Sequence, residues 1–253
     1  MEVKGKSVVV TGGGSGIGEA LARRFAAEGA RVVVSDINEA GAARVVGEIG
    51  GVAVRTDVAR EEDVIALVAA AERAHGPIDL FVSNAGIGCP DPGHAASASN
   101  EDWQRIWEIN VMSHIFAARA LLPAMMARKS GAFLITASAA GLLSQIGSAP
   151  YAVTKRAAVA FAESLAITHG DDGVEVYCLC PQGVRTPMVG DSGPQHVDGV
   201  IEPEEVAECV MQALAEGRFL ILPHPTVQTY MERKAGDYQR WIKGMQRFRR
   251  QFI

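Results

Sequence analysis

Seven short runs of consecutive apolar, largely β-branched residues punctuate the chain: SVVVT (7–11), RVVVSD (31–36), VAVRTD (52–57), DLFVSNAG (79–86), GAFLITAS (131–138), VEVYCLC (174–180) and FLILP (219–223). A helix-length, mostly alanine-rich segment separates each run from the next. Runs that are apolar at consecutive positions suit strands buried on both faces. Regular alternation of such strands with helices predicts an α/β fold of the doubly wound Rossmann type, with a seven-stranded parallel sheet and helices on both faces. The Pro- and Gly-rich stretches at 87–100 and 187–203 are loop-sized and do not divide the chain, so a single domain over 1–253 is expected. Ligands of open α/β sheets bind beyond the carboxyl ends of the strands, which directs attention to the loops at 84–98 and 181–200.

Composition narrows the function. A chain of 253 residues can bury on the order of 70–75% of the surface its unfolded form exposes, enough for one large core. With 24 basic and 29 acidic residues, the net charge of -5 creates no field for nucleic acid or an anionic membrane surface, so a small-molecule substrate is expected. Four cysteines without CxxC spacing, and six dispersed histidines without an HExxH pattern, give no zinc-like grouping. No metal is expected, and a reducing, cytoplasmic setting fits. Cys178 and Cys180, two apart on a strand, read as small buried residues sharing one side. The apolar stretch Val8–Val10 near the N-terminus is too short for a signal core or a spanning helix.

The first strand runs directly into Thr11-Gly12-Gly13-Gly14-Ser15-Gly16-Ile17-Gly18 and then an amphipathic segment, Glu19 to Glu28. Strand, glycine loop and helix start together form a phosphate site, because glycine permits close backbone approach and the free N–H groups of a helix start face an anion. The register is not strict GxGxxG, since Ile17 stands where the third glycine would be. Asp36 ends the second strand, where a carboxylate accepts hydrogen bonds from adenosine ribose hydroxyls and repels a 2′-phosphate. Neither Ser15 nor Ile37 supplies a neutralising cation, so NAD is expected over NADP. The competing reading of Asp36 is a helix N-cap, because Asn38 and Glu39 follow.

The loop TGGGSGIG, Asn84-Ala85-Gly86 after the fourth strand, Ser138, and Tyr151-Ala152-Val153-Thr154-Lys155 together resemble the short-chain dehydrogenase/reductase family, over residues 5 to about 222. The resemblance implies a cofactor held by Gly12, Ser15, Gly16, Ile17 and Gly18, with Asp36 on the ribose. It places Asp57 at the adenine amino group with Val58 beside it, and Asn84, Ala85 and Gly86 along the adenosine side. Thr186 would hold the nicotinamide carboxamide, with Pro181, Val184, Tyr151 and Lys155 completing the cofactor contacts. The resemblance also implies a homo-oligomer, tetramer or dimer, paired through helices at about 101–128 and 150–168. One departure stands out: the family usually has Pro-Gly after the sixth strand, whereas here Pro181-Gln182-Gly183 occurs. Gln182 either enters the nicotinamide or substrate pocket or turns outward while Gly183 absorbs the turn.

Tyr151 and Lys155 lie four apart on a helix, YAVTKRAAVAFAESLA, whose apolar positions 153, 157, 158, 161, 162 and 165 give a helical stripe. A phenol near pKa 10 is too weak a base near neutrality, and a nearby cation favours the phenolate. Tyr151 is therefore the proton-transferring residue, with Lys155 tuning it and Ser138 donating to the reacting oxygen. By the family resemblance, Asn110 in WEINVMSH completes a proton-relay tetrad. The expected activity is hydride transfer between NAD and a secondary alcohol or ketone of apolar character, since Leu142, Leu143, Ile146, Met188 and Val189 flank the pocket. His94 and His196 sit in the ligand-side loops and are candidates for substrate contact. Rival readings are an NADP-dependent 3-oxoacyl-carrier ketoreductase, a non-catalytic dinucleotide sensor that would have lost one of the four catalytic residues, and a nucleotide-sugar epimerase.

The tail at about 226–253 reads as a helical extension. Tyr238, Trp241, Met245, Phe248 and Phe252 form one apolar stripe, surrounded by basic residues including Arg233, Lys234, Arg240, Lys243 and Arg247. Such a helix can lie on a membrane, bind a partner or pack on its own protein. Burial of the stripe against the same subunit or a neighbouring one, near the loop at 187–200, is the expectation.

Overall fold

The computed structural model describes residues 1–91, 93–190 and 193–252. Pro92 in the first ligand-side loop, Asp191 and Ser192 in the second, and Ile253 at the end of the tail lie outside the described residues. The chain runs β1 (Ser7–Thr11), α1 (Gly16–Ala27), β2 (Arg31–Asp36), α2 (Glu39–Ile49), β3 (Val52–Arg55), α3 (Glu61–His75) and β4 (Leu80–Ser83). Then follow α4 (Asn100–Trp107), a π-helical turn (Glu108–Met112), α5 (Ser113–Ala127), β5 (Gly131–Thr136), α6 (Ala139–Leu142) and α7 (Ala149–His169). The remainder is β6 (Val174–Leu179), α8 (Pro203–Glu216), β7 (Leu220–Ile221), α9 (Thr226–Gly236) and α10 (Tyr238–Arg249).

All seven expected strands form one parallel sheet in the order β3-β2-β1-β4-β5-β6-β7. Successive side chains of a strand point to opposite faces. Val8 and Val10 thus join Leu21, Phe25 and Val206 in one core, while Val9 joins Leu67, Phe133 and Ala158 in the other. The edge strand β3 departs from the expected continuous burial: Val52 and Val54 are half-buried but Ala53 and Arg55 are exposed. Only one of its faces is covered, so it alternates.

The chain leaves β1 toward β2 on one side and returns to β4 on the other. A crevice therefore opens at the carboxyl ends of β1 and β4, where the topology reverses. The helical run Asn100–Ala127 is long and apolar enough to cross a membrane by length and mean hydropathy alone, 1.3. Within the fold its Val111, Ala117, Leu121 and Met125 are core residues. On α7 the buried stripe is Lys155, Ala158, Val159, Ala162 and Leu165, whereas Val153 is 47% exposed. The expected stripe is thus shifted, because Lys155 itself turns inward.

Candidate active site

The glycine loop is held from beneath. Thr11 Oγ1 donates to the Val82 carbonyl at 3.2 Å and accepts from the amides of Asn84 and Ala85 at 3.0 and 3.2 Å. The Asn84 side chain donates to the Thr11 carbonyl at 3.0 Å and accepts from Thr136 Oγ1 at 3.1 Å. Asn84 thus ties together the ends of β1, β4 and β5. Gly18 fills the packing role of the glycine missing from the strict register: a Cβ there would lie 2.1 Å from the Gly12 carbonyl oxygen and 2.6 Å from Asn84 Nδ2. Gly12 adopts φ +62, and a Cβ would meet the Ala85 backbone at 2.9 Å.

The start of α1 fits an anionic pyrophosphate. The N–H groups of a first helical turn have no intrahelical acceptors, and the N-cap Ser15 leaves them without a side-chain cap. Gly16, at φ +54, faces Thr186 so closely that a Cβ would lie 3.0 Å from its Cγ2. Thr186 is thereby brought beside the helix start. Asp36 is not a helix cap: Asn38 caps α2 by accepting from the Gly41 amide at 3.2 Å. The Asp36 carboxylate instead accepts from the Gly14 amide at 2.9 Å and from the Asn38 amide at 2.9 Å. This sets it against the glycine loop. Asp57 lies beyond β3 and accepts from the Ala59 amide at 3.1 Å, with Val58 buried next to it.

The four catalytic candidates converge beyond β4 and β5. Ser138 is the N-cap of α6 and accepts from the Ala140 amide at 3.1 Å. Its hydroxyl also donates to the Pro181 carbonyl at 3.3 Å, and Ser138 and Tyr151 line the same cleft. Burial pushes the phenol above its usual 10, and the nearby Ser138 hydroxyl partly offsets that rise. Lys155 is 3% exposed and donates to the Thr136 carbonyl at 2.8 Å, with its Nζ 5.8 Å from the Tyr151 ring centre. Burial pulls its pKa down to about 8. Cys178 and Cys180 do share one side, with sulfurs 3.7 Å apart.

Asn110 sits in the π turn, fully buried. Its amide accepts from the Ile87 N–H at 2.9 Å and donates to the Ile87 carbonyl at 3.0 Å. Gly86 gives Asn110 and Lys155 room, since a Cβ there would be 3.2 Å from Asn110 Oδ1 and 3.3 Å from Lys155 Nζ. Val184 is buried and forms an isolated bridge with Ile201, while the Pro181 carbonyl accepts from the Ala139 amide at 2.9 Å.

Gln182 turns inward. It lines the cleft, its Nε2 donates to Asp198 at 2.9 Å, and the other Asp198 oxygen accepts from Tyr230 OH at 2.9 Å. Gly183 allows a close approach of the 187–200 loop, because a Cβ there would lie 2.5 Å from the Gln195 carbonyl oxygen. This chain linking the β6 loop, the 187–200 loop and α9 was not legible in the sequence; only the odd Gln182 marked it. His94 accepts from the Ala96 amide at 3.2 Å and His196 bonds the Gly190 carbonyl at 2.8 Å. Neither lines the cleft beside Tyr151.

The tail corrects its expectation in part. It forms two helices rather than one, with the break at Asp237, and α10 buries no residue. Trp241, Met245 and Phe248 face the cleft over Tyr151, while Tyr238 and Phe252 are 58% and 42% exposed. The stripe roofs an open cleft, so it has little protein to pack against. Lys234 anchors α9 by donating to the Leu142 and Leu143 carbonyls at 2.7 and 2.8 Å.

Comparison with known proteins places this arrangement. The short chain dehydrogenase family model matches residues 6–196. A meso-2,3-butanediol dehydrogenase of Serratia marcescens is 35% identical over 228 residues, 85% of this chain and 89% of that protein. A 1-deoxy-11-beta-hydroxypentalenate dehydrogenase of Streptomyces exfoliatus is 34% identical, with 96% and 91% covered. A short-chain dehydrogenase/reductase from Burkholderia phymatum, solved in complex with NAD, superposes with TM-score 0.86 at 30% identity, covering 94% of this chain and 96% of that one. A 3-ketoacyl-(acyl-carrier-protein) reductase from Brucella melitensis, solved with NADH, gives TM-score 0.80 at 33% identity, covering 87% and 95%. The chain is an oxidoreductase of the short-chain dehydrogenase/reductase family.

Proposed function

We propose that the protein is an NAD-preferring dehydrogenase of secondary alcohols, or reductase of the matching ketones, with Tyr151 as the proton-transferring residue. The observation that carries this reading is the convergence of Ser138 and Tyr151 in one cleft, with Lys155 buried beside the Tyr151 ring and donating to the Thr136 carbonyl. The capless start of α1 and the Asp36 carboxylate support the dinucleotide. Nicotinamide, when bound, takes or supplies the hydride at the reacting carbon.

The chain's own residues do the rest. Ser138 donates a hydrogen bond to the substrate oxygen and stabilises charge as it develops there. A phenol held above 10 keeps its proton at neutral pH, which suits ketone reduction, where Tyr151 Oη gives that proton to the nascent alkoxide. In alcohol oxidation the phenolate form of the same oxygen receives the proton, and the Lys155 ammonium beside the ring favours that phenolate. The NAD preference rests on Asp36, which offers a carboxylate where a 2′-phosphate would need a cation.

Pairing of copies through α4–α5 and α7 belongs to the same reading, supported by exposed Trp107, Val153 and Ile167. A single domain with a helical tail, in a reducing compartment that keeps four free thiols reduced, completes it. Tyr151→Phe tests the proposal: NADH binding should persist while turnover falls by about 10²–10⁴-fold. Turnover comparable with the wild type would refute it.

A further inference from the structure

The cleft over Tyr151 has a volume of about 1260 Å³. That exceeds the roughly 300–1,000 Å³ of ordinary small-molecule pockets. Its lining includes the apolar side chains of Leu143, Ile146 and Met188 and, from α10, Trp241, Met245 and Phe248. The same cleft is lined by Arg233, Arg240 and Arg247, against one acidic residue among the described residues, Asp237. Asp237 is already engaged as N-cap of α10, accepting from the Arg240 amide at 2.9 Å.

The guanidiniums are uncommitted. Among the described residues none of the three has a carboxylate partner, and Arg233 only stacks over the Tyr230 ring at 5.9 Å. Some other arginines of the fold are paired, Arg23 and Arg44 with Glu19 and Arg24 with Glu208. Arg240 and Arg247 are seven apart on α10, so they lie on the same face about 10 Å apart along the axis. Trp241, Met245 and Phe248 lie beside that row. An apolar strip flanked by a row of free cations complements a molecule that is apolar along its length and negatively charged at one end.

Resting on the assignment of Tyr151 and Ser138 as the reacting end, we infer that the substrate is an amphipathic anion. It is a secondary alcohol or ketone whose apolar body ends in a carboxylate or phosphate held by Arg240 and Arg247, with Arg233 at the cleft mouth. The α9–α10 tail is then the element that selects substrate.

Binding of chains that cannot react separates this from the catalytic assignment. Calorimetric titration with octanoate, octyl phosphate and octanol uses the full chain with NADH present. At low salt the anions should bind about tenfold more tightly than octanol, the scale of one or two partly exposed charge-assisted contacts. The gap should close in Arg240→Gln/Arg247→Gln and at high salt, and should persist in Arg249→Gln, whose residue lines the adjoining hollow but not the cleft over Tyr151. Whichever anion binds more tightly identifies the headgroup. Equal affinity for octanol and both anions, no binding of any of the three, or a gap unchanged in the double variant would overturn the inference. Failure of Tyr151→Phe to lose turnover would overturn the catalytic reading instead.

Discussion

Asn110 grips Ile87 by both of its backbone groups, accepting from the N–H at 2.9 Å and donating to the carbonyl at 3.0 Å. The π turn at Glu108–Met112 brings the Asn110 side chain to that segment. Ile87 directly follows Gly86, which sits between Asn110 and Lys155. Asn110 therefore positions the segment against which Lys155 packs.

Asn110→Leu should break both bonds and strand two polar backbone groups, at about 1–3 kcal/mol each if they stay buried. The expected result is a lower urea midpoint together with a fall in kcat that exceeds any rise in KM. Unchanged kcat with only reduced stability would restrict Asn110 to the fold.

Gly18 and Gly47 make a matched pair of helical glycines. A Cβ at Gly18 meets the Gly12 carbonyl at 2.1 Å, and that backbone is pinned by Asn84, so Gly18→Ala should cost about 1–3 kcal/mol and weaken NADH binding. Gly47 on α2 has nothing within 4 Å of its would-be Cβ. Gly47→Ala should raise stability by up to about 1 kcal/mol through helix propensity. Denaturant midpoints and NADH fluorescence titrations on both variants check the contrast.

The contrast shows what short-range pattern can reveal. Strand β1, the glycine loop and α1 are contiguous, and Tyr151 and Lys155 are one helical turn apart, so spacing alone locates them. Asn84 reads as a cofactor contact in sequence because its bonds to Thr11 and Thr136 join distant strands. The edge position of β3 is a property of sheet order, which no local window contains. Lys234 reads as one more basic residue of an amphipathic tail until α6 is folded beneath it.

Asp36 has two tasks that its variants can separate. It secures the Gly14 and Asn38 amides and presents negative charge. Asp36→Asn retains an acceptor but removes the charge, and should lower the ratio of kcat/KM for NAD over NADP with little loss of stability. Asp36→Ala should lower that ratio and also loosen the glycine loop, seen as weaker NADH binding. A wild type that prefers NADP would refute this use of the carboxylate.

His114 predicts the acid limb of stability. The ring is buried, bonds Ser83 Oγ through Nδ1 at 2.6 Å, and has no partner at Nε2. Burial, reinforced by the Lys155 charge, pulls its pKa from 6.5 to about 3. Between those values the unfolded chain binds the proton and the folded one does not. Its contribution is therefore complete above about pH 6.5 and is lost as pH falls toward 3, by up to about 1.4 kcal/mol per unit. His114→Gln cannot titrate and should flatten the dependence of the urea midpoint on pH across that window. Equal slopes in variant and wild type would count against it.

Lys234 ties the substrate roof to the catalytic segment. Its ammonium donates to the carbonyls of Leu142 and Leu143, at the carboxyl end of the short helix that Ser138 caps. A cation there also suits the helix C-terminus. Burial lowers its pKa to about 8 from 10.5, so the folded state gives up that proton earlier than the unfolded chain. Lys234 therefore penalises folding below about pH 8, and the penalty fades as pH rises toward 10.5. Lys234→Met removes the anchor but keeps most of the side-chain packing. It should raise KM for the alcohol several-fold while leaving NADH affinity unchanged, because the anchor lies on the substrate wall and away from the glycine loop. Truncation after Thr226 should act in the same direction more strongly and lower the thermal midpoint, since it removes the whole roof. A Lys234→Met enzyme with wild-type KM, or one that loses NADH affinity equally, would mean that the tail does not shape the substrate cleft.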